Sequence, residues 1–170
     1  GILPEDQFTN ILTVARAGRT GETYAFNEEG WLLSDSRFDD QLQAAGILES
    51  GSQASAVLNV RAVDPGVDLT IGHPSPESPQ AMPLTDLVAT TLASRERGNY
   101  DLHTNLSGYQ DYRGVKTIGA SEWLPEYGFG VATKMDHAEA YAPGILVRNI
   151  VTILFTLSAA GVGAVLIYTR

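Results

Sequence analysis

Short apolar runs of alternating or aromatic character predict the strands of this chain. The segments ETYAF at 22–26 and WLLS at 31–34 predict a β-hairpin around an Asn27–Gly30 turn. Three later segments predict antiparallel strands joined by tight turns: 109–112, 115–123 and 129–134. We therefore expect an α+β fold with a five-stranded antiparallel sheet.

Apolar residues spaced three and four positions apart predict the helices. The segment 4–17 has this spacing and predicts a long N-terminal helix that ends at Gly18. The segment 84–94 predicts a second amphipathic helix, and 38–45 predicts a helical turn. Residues 56–63 alternate in a way that suits a further strand.

The end of the chain is continuously apolar. From Asn149 to Tyr168 there is no charged residue, and such a helix would be about 30 Å long, the hydrocarbon thickness of a bilayer. A preceding helix is predicted to begin at Asp136, and Pro143-Gly144 could form a joint before the span. We expect a folded domain over 1–144 and a single transmembrane helix over 145–170.

The distribution of charge excludes several partners. Two of the 11 basic residues, Arg148 and Arg170, flank the apolar run, so residues 1–144 carry the other nine against all 20 acidic groups. Such an acidic surface repels phosphate, and we expect no nucleic-acid binding.

The absence of cysteine removes disulfides, thiolate metal sites and thiol nucleophiles.

The sequence contains no pattern typical of an enzyme or a metal site. The histidines His73, His103 and His137 lack the close spacing of zinc ligands. The acidic pairs Glu28-Glu29 and Asp39-Asp40 occupy polar, turn-like segments where solvated acids are normal. No Ser-His-Asp spacing and no phosphate loop occurs. We therefore expect a protein that is not an enzyme and has no cofactor and no metal.

Four stretches together resemble a known family. The segments GRTGETYAFNEEGWLLSDSRF at 18–38, RAVDPG, PLTDL and GYQDYRGVKTIGASEWLPEYGFGVATKMDHAEAY at 108–141 are similar to Cache domains, the PAS-like extracytoplasmic sensor domains found beside a membrane span. The resemblance covers nearly all of the predicted soluble domain. It implies a PAS-like sheet that holds a pocket for a small ligand. It also implies a final helix that passes the signal to a kinase, a cyclase or a chemotaxis module.

Five side chains are candidates for binding this ligand: Tyr24, Arg37, Tyr109, Asp111 and Trp123. The Arg37 guanidinium could clamp a carboxylate with two hydrogen bonds, or form an ion pair with a neighbouring aspartate. Asp111 could receive a ligand amine, or stabilise the turn that carries Arg113. The aromatic residues could wall a pocket, although a small sheet also needs such residues to fill its core.

The apolar run contains a patch of small residues: Ala160, Gly161, Gly163 and Ala164. Small residues four apart let a second helix approach closely in lipid, although they are common in membrane spans generally. The expected partners are therefore membrane lipid, other transmembrane helices in a homodimer or a larger complex, and a small-molecule ligand.

Two functions fit these features. The first is the ligand-sensing part of a signal-transduction receptor, single-pass in the cell membrane (the bacterial inner membrane), with its domain on the periplasmic or extracellular side. That function predicts an output module beyond Arg170, and the start at Gly1 without an initiator Met leads us to expect a removed leader or a missing N-terminal part. The alternative is a non-enzymatic accessory subunit of a respiratory or photosynthetic membrane complex, which docks through its helix and its periplasmic domain.

Overall fold

The computed structural model describes residues 16–49, 55–72, 78 and 80–169. The chain divides into two units, Gly1–His137 and Ala138–Arg170, which are described separately. Residues 4–15 of the predicted N-terminal helix lie outside the described residues.

The first unit is built on one antiparallel sheet. Its strands are β1 (Glu22–Phe26), β2 (His103–Gln110), β3 (Lys116–Leu124) and β4 (Phe129–Asp136), in the spatial order β1-β4-β3-β2. All neighbouring strands pair antiparallel. The described residues therefore contribute four strands to the sheet, and the expected fifth strand is not among them.

The second arm of the predicted hairpin is not a strand of this sheet. Residues 31–34 form only isolated bridges, because the N–H of Ala25 bonds to the side-chain oxygen of Ser34 (3.1 Å). The Asn27 side chain accepts from the N–H groups of Glu29 and Trp31 and makes the turn. On its other edge, β1 forms a regular ladder with β4, from Glu22↔Lys134 to Phe26↔Gly130.

The further strand expected over 56–63 is also absent from the described part of the chain. Its first residues form a turn, in which the Val60 N–H bonds to the Ala56 carbonyl (3.0 Å). Leu58 has a left-handed backbone (φ 56°) that a regular strand cannot contain. The segment then contributes only single bridges, Trp31↔Arg61 and Val63↔Leu84.

The later three strands confirm the predicted second β unit. Strands β3 and β4 begin and end within two residues of the predicted bounds. Strand β2 begins six residues earlier than expected, at His103. It is an edge strand with a register shift between Asn105 and Tyr109, and its mixed, largely exposed side chains carry no clear alternation.

The described residues of the first unit form two α-helices, α1 (Asp39–Ala44) and α2 (Asp86–Glu96), and a short 3-10 helix (Leu69–Ile71). Helix α2 buries one side through Leu87, Val88 and Thr91, in agreement with its apolar spacing. The Thr91 hydroxyl lies 2.7 Å from that of Ser121 on β3, so the helix covers the sheet face that Ser121 occupies. We call this the inner face of the sheet.

The core lies between the inner face and the segments that cover it. Its aromatic members are Tyr24, Phe26, Tyr112 and Trp123, and its aliphatic members include Leu32, Leu42, Val60 and Val88. The small residue Gly130 is required beside Phe26, because a Cβ there would lie 2.3 Å from the phenyl ring.

The second unit is formed by the long helix α3 (His137–Tyr168). This helix starts immediately after β4. The helix continues through Pro143. It is long and apolar enough to cross a membrane, and its mean hydropathy reaches 2.4. From Tyr141 to Thr169, the described side chains are exposed.

Candidate functional site

Four buried charged residues meet at one end of the inner face: Glu22, Asp111, Arg113 and Lys134. None is more than 2% exposed. Glu22 on β1 is the cross-strand neighbour of Lys134 on β4, so the strand register places the two side chains on the same face. Asp111 and Arg113 come from the turn between β2 and β3. We call this group the buried charge cluster.

Lys134 is at the centre of the cluster. Its ammonium lies 3.0 Å from Glu22 Oε2 and donates to Asp111 Oδ2. The same nitrogen lies 4.2 Å from the ring centroid of Tyr112 and 4.8 Å from that of Phe38. Two carboxylates and two aromatic faces therefore replace the water that this cation loses on burial.

Glu22 has a full set of donors. Its Oε1 accepts from the Ser36 hydroxyl (2.9 Å) and the Arg37 N–H (2.8 Å), and its Oε2 accepts from the Tyr112 hydroxyl (2.5 Å). Burial by itself raises the pKa of Glu22, but attraction to Lys134 and these hydrogen bonds hold the pKa below its usual value. The carboxylate is therefore ionised and satisfied.

Asp111 organises the turn that carries it. Its Oδ1 accepts from the N–H groups of Arg113 (2.9 Å) and Val115 (3.1 Å), and its Oδ2 accepts from Arg113 Nε (2.8 Å) and from Lys134. Burial raises the pKa of Asp111, but the two cations lower it further than burial raises it. Of the two roles expected from the sequence, the structure shows the turn-stabilising one.

Arg113 connects the cluster to the end of β4. Its Nη2 donates to Asp136 Oδ1 (2.5 Å), and its Nη1 lies 3.3 Å from the side-chain oxygen of Gln41. The guanidinium also covers the ring of Phe38 at 3.6 Å. Asp136 is the last residue of β4, and the next residue begins α3. The cluster therefore reaches the residue that immediately precedes the long helix.

Three buried hydroxyls on or beside the inner face, those of Tyr24, Thr85 and Tyr109, make no hydrogen bond of good geometry with a described residue. Thr85 nevertheless lies near enough to Tyr24, and Thr117 near enough to Tyr109, to lower the pKa of each phenol. Tyr24 and Thr85 are fully buried, and Tyr109 is 8% exposed. Thr85 is the N-cap residue of α2, yet its hydroxyl caps none of the helix N–H groups. We call these three groups the free hydroxyls.

The free hydroxyls and the charge cluster are electrostatic neighbours. Burial raises the pKa of Tyr24 well above its usual value, and the negative charges of Glu22 and Asp111 raise it further. Burial likewise raises the pKa of Tyr109, and the negative charges of Asp111, Asp86 and Glu22 raise it further. Both phenols therefore keep their protons and can act as hydrogen-bond donors.

Arg37 and Trp123 have protein partners in the structure. The Arg37 guanidinium donates to the carbonyls of Gly21 (2.8 Å) and Gly18 (3.0 Å) rather than to a neighbouring aspartate. Trp123 packs edge-on against Phe26, and the Arg95 guanidinium lies 4.5 Å above its ring. Of the five predicted ligand residues, Arg37, Asp111 and Trp123 therefore have partners within the protein. Only Tyr24 and Tyr109 carry free hydroxyls.

Sequence reasoning missed Glu22, Lys134 and Arg113 as members of one site. The sequence did contain one signal: alternation along the strand places Glu22 on the same face as Tyr24 and Phe26. A carboxylate buried among aromatic side chains needs a partner, so this position indicated a buried ion pair or hydrogen bond.

Asp39 is a titratable group outside the cluster. Burial, with the nearby charges of Asp35 and Glu22, raises its pKa from 3.8 to about 6. One of its oxygens has no partner among the described residues. Within the described part of the chain, no group of three or more acidic or histidine side chains could hold a metal ion.

The opposite face of the sheet has an open apolar groove of about 230 Å³. Its lining includes Leu106, Ile118, Ala120 and Met135. It offers few polar groups to orient a ligand. In the second unit, Ala160, Gly161 and Ala164 are exposed on α3, and Gly163 belongs to the same helix.

Comparison with protein-family models, with curated proteins and with solved structures found no match.

Proposed function

We propose that this chain is the ligand-sensing part of a signal-transduction receptor, with a Cache-type, PAS-like domain on the periplasmic or extracellular side of a bacterial inner membrane. Helix α3 is the membrane anchor in this proposal. The observation that carries it is the position of the buried charge cluster between the free hydroxyls and the last residue of β4.

The cluster offers a route for a signal. A ligand that bonds to Tyr24 or Tyr109 changes the surroundings of Glu22 and Asp111, which are their electrostatic neighbours. Both carboxylates hold Lys134 on β4, and Asp111 also holds Arg113. Because charge pairs in a dry interior respond strongly to small displacements, a shift in the cluster would move Asp136 and the start of α3.

The test is a thermal-shift screen of the whole chain in lipid nanodiscs against pools of small metabolites. We expect at least one pool to raise the melting temperature. The same ligand should slow or speed hydrogen exchange in peptides that cover β4 and the first turn of α3. The proposal fails if no pool stabilises the wild-type chain.

A matched pair of variants identifies the site. Tyr24→Phe removes one free hydroxyl, whereas Tyr127→Phe removes the hydroxyl of a residue that is 71% exposed. We expect the stabilisation by the ligand to decrease in the first variant and to persist in the second. Equal responses would place the ligand away from the inner face.

The accessory-subunit function stays as a second candidate, because the small residues Ala160, Gly161 and Ala164 of α3 are exposed in the second unit. Replacing Gly161 and Gly163 by Leu should then release the partner proteins that co-purify from native membranes. The control is Val162→Leu, an apolar exchange between the two glycines. A sensor without such partners would show no difference between the variants.

A further inference from the structure

The face of the sheet opposite the inner face is apolar and only partly covered by described residues. We call it the outer face. Strand register pairs Ile118 on β3 with Met135 on β4 there, and both residues are half-buried. Leu106 on the edge strand β2 lines the same groove and is 60% exposed. Apolar side chains exposed in a row across neighbouring strands are typical of a surface that another element covers.

The groove on the outer face, which we call the outer groove, begins beside the start of β1. Its lining crosses the strands in their spatial order, from Gly21 beside β1, over Met135 on β4 and Ile118 on β3, to Leu106 on β2. Ala17 also lines the groove, and its carbonyl accepts from the Gly21 N–H (2.9 Å), which closes a tight turn. The chain that precedes Ala17 therefore meets the domain at one end of the outer groove.

The outer groove lacks the polar groups that would orient a small polar ligand. Its hydroxyl-bearing lining residues are Thr104 and Thr133. The Thr133 hydroxyl lies 2.8 Å from that of Thr23 across the β1–β4 pair, so it already has a partner. Lys134 borders the groove, but its ammonium belongs to the buried charge cluster on the inner face. An apolar protein segment fits this lining better than a polar ligand does.

The sequence that precedes Ala17 has a matching apolar pattern. Residues 4–15 lie outside the described part of the chain, and their sequence predicts an amphipathic helix. One side of this helix, which we call the N-terminal stripe, is formed by Phe8, Ile11, Leu12 and Ala15. A helix over 4–15 is about 18 Å long, whereas the axes of four adjacent strands span about 14 Å, so the helix can cross the sheet. The direct connection at Ala17 gives the stripe a high local concentration beside the groove.

We propose that residues 4–15 fold as an amphipathic helix whose N-terminal stripe packs into the outer groove of the same chain. This interface goes beyond the sensing function and does not depend on it. It covers β4 on both faces, since Lys134 belongs to the buried charge cluster and Met135 to the outer groove. The experiments distinguish this occupant from two others, a second copy of the chain and a small apolar molecule.

Because the chain has no cysteine, a pair of introduced cysteines gives an unambiguous cross-link. Ala120→Cys places one thiol in the outer groove on β3, and the second thiol is placed at Phe8, Ile11 or Leu12 in turn. We expect at least one of these pairs to form a disulfide within one chain when the whole chain is mildly oxidised in nanodiscs. Asn10→Cys with Ala120→Cys is the control, because Asn10 lies on the opposite side of the predicted helix. It should cross-link at least about tenfold more slowly, since disulfides require close Cβ atoms.

Thiol labelling tests the cover without requiring disulfide geometry. Ala120→Cys alone should react with a maleimide at least about tenfold more slowly than Glu126→Cys, which lies at an exposed turn position. Adding Leu12→Asp should remove most of this protection. Asn10→Asp adds the same charge on the other side of the predicted helix and should leave the labelling rate unchanged. Tryptophan fluorescence checks that each variant is folded.

The outcomes identify the occupant. Within-chain disulfides confined to the N-terminal stripe, or protection lost in Leu12→Asp and kept in Asn10→Asp, support the proposal. Disulfides between two chains that become rarer on dilution would place a second copy in the groove and overturn it. Equal cross-linking of Asn10→Cys and the stripe positions would also overturn it, because a packed helix presents one side. If no pair cross-links and Leu12→Asp leaves labelling unchanged, the segment does not cover the groove, which is then open to a small apolar molecule.

Discussion

Replacing Lys134 by Met tests the buried charge cluster most directly. Lys134 has no exposed side-chain surface and is the only described cation in an ion pair with Glu22. Methionine has a similar length, so the substitution removes the charge with little loss of packing. Removing one partner of a buried ion pair typically costs about 3–5 kcal/mol. We expect the lower part of this range, because Asp111 keeps Arg113.

The penalty should depend on pH with a definite sign. In the wild type the pKa of Glu22 is below 4.5, so its ionised form stabilises the domain above that pH and the contribution is lost as the pH falls. Without Lys134, burial dominates and raises the pKa of Glu22 above 4.5. Ionisation then costs stability as the pH rises. The difference between variant and wild type should therefore shrink toward about pH 4.

The assay is urea unfolding of the whole chain in nanodiscs, followed by the tryptophan fluorescence of Trp31 and the buried Trp123. Adding Glu22→Gln to Lys134→Met should restore at least about half of the lost stability, because no uncompensated carboxylate remains. Lys116→Met, at an exposed position on β3, is the control. A loss below about 1 kcal/mol that is the same at all pH values would refute the reasoning.

Two further comparisons test the turns and the raised pKa. Gly114 and Gly128 have φ near +73° (74° and 72°), but a Cβ at Gly114 would lie 1.8 Å from the Val67 carbonyl oxygen and one at Gly128 would contact nothing. Gly128→Ala should cost about 1–2 kcal/mol, and Gly114→Ala about 1–3 kcal/mol more by urea unfolding; equal losses would contradict the contact. For Asp39, the pKa of about 6 means that ionisation lowers stability as the pH rises from 3.8 to 6. Asp39→Asn should therefore gain melting temperature relative to wild type over that interval, while exposed Asp40→Asn should not; parallel curves would argue against the raised pKa.

The site could be predicted only in part. Tyr24 and Tyr109 were recognised as polar aromatics on strands, and strand alternation places them on a common face once the register is known. Arg37 was recognised as a charged candidate, but local sequence does not show that the Gly18 and Gly21 carbonyls are its acceptors. Glutamate and lysine side chains are usually exposed, so the residue types of Glu22 and Lys134 do not indicate that both are buried.

The sequence by itself determined the elements whose signal is local. Helix α2, strands β3 and β4, and the long apolar helix α3 follow from the spacing of apolar residues within each segment. Only the tertiary structure decided which strand pairs with β1. Residues 31–34 are close in sequence, but along their edge of β1 the Ser34 side chain takes the Ala25 N–H, and β4, more than 100 residues away, forms the ladder on the other edge. That pairing brings Glu22 to Lys134 and creates the cluster, because cross-strand contacts depend on register between distant segments, which local pattern does not encode.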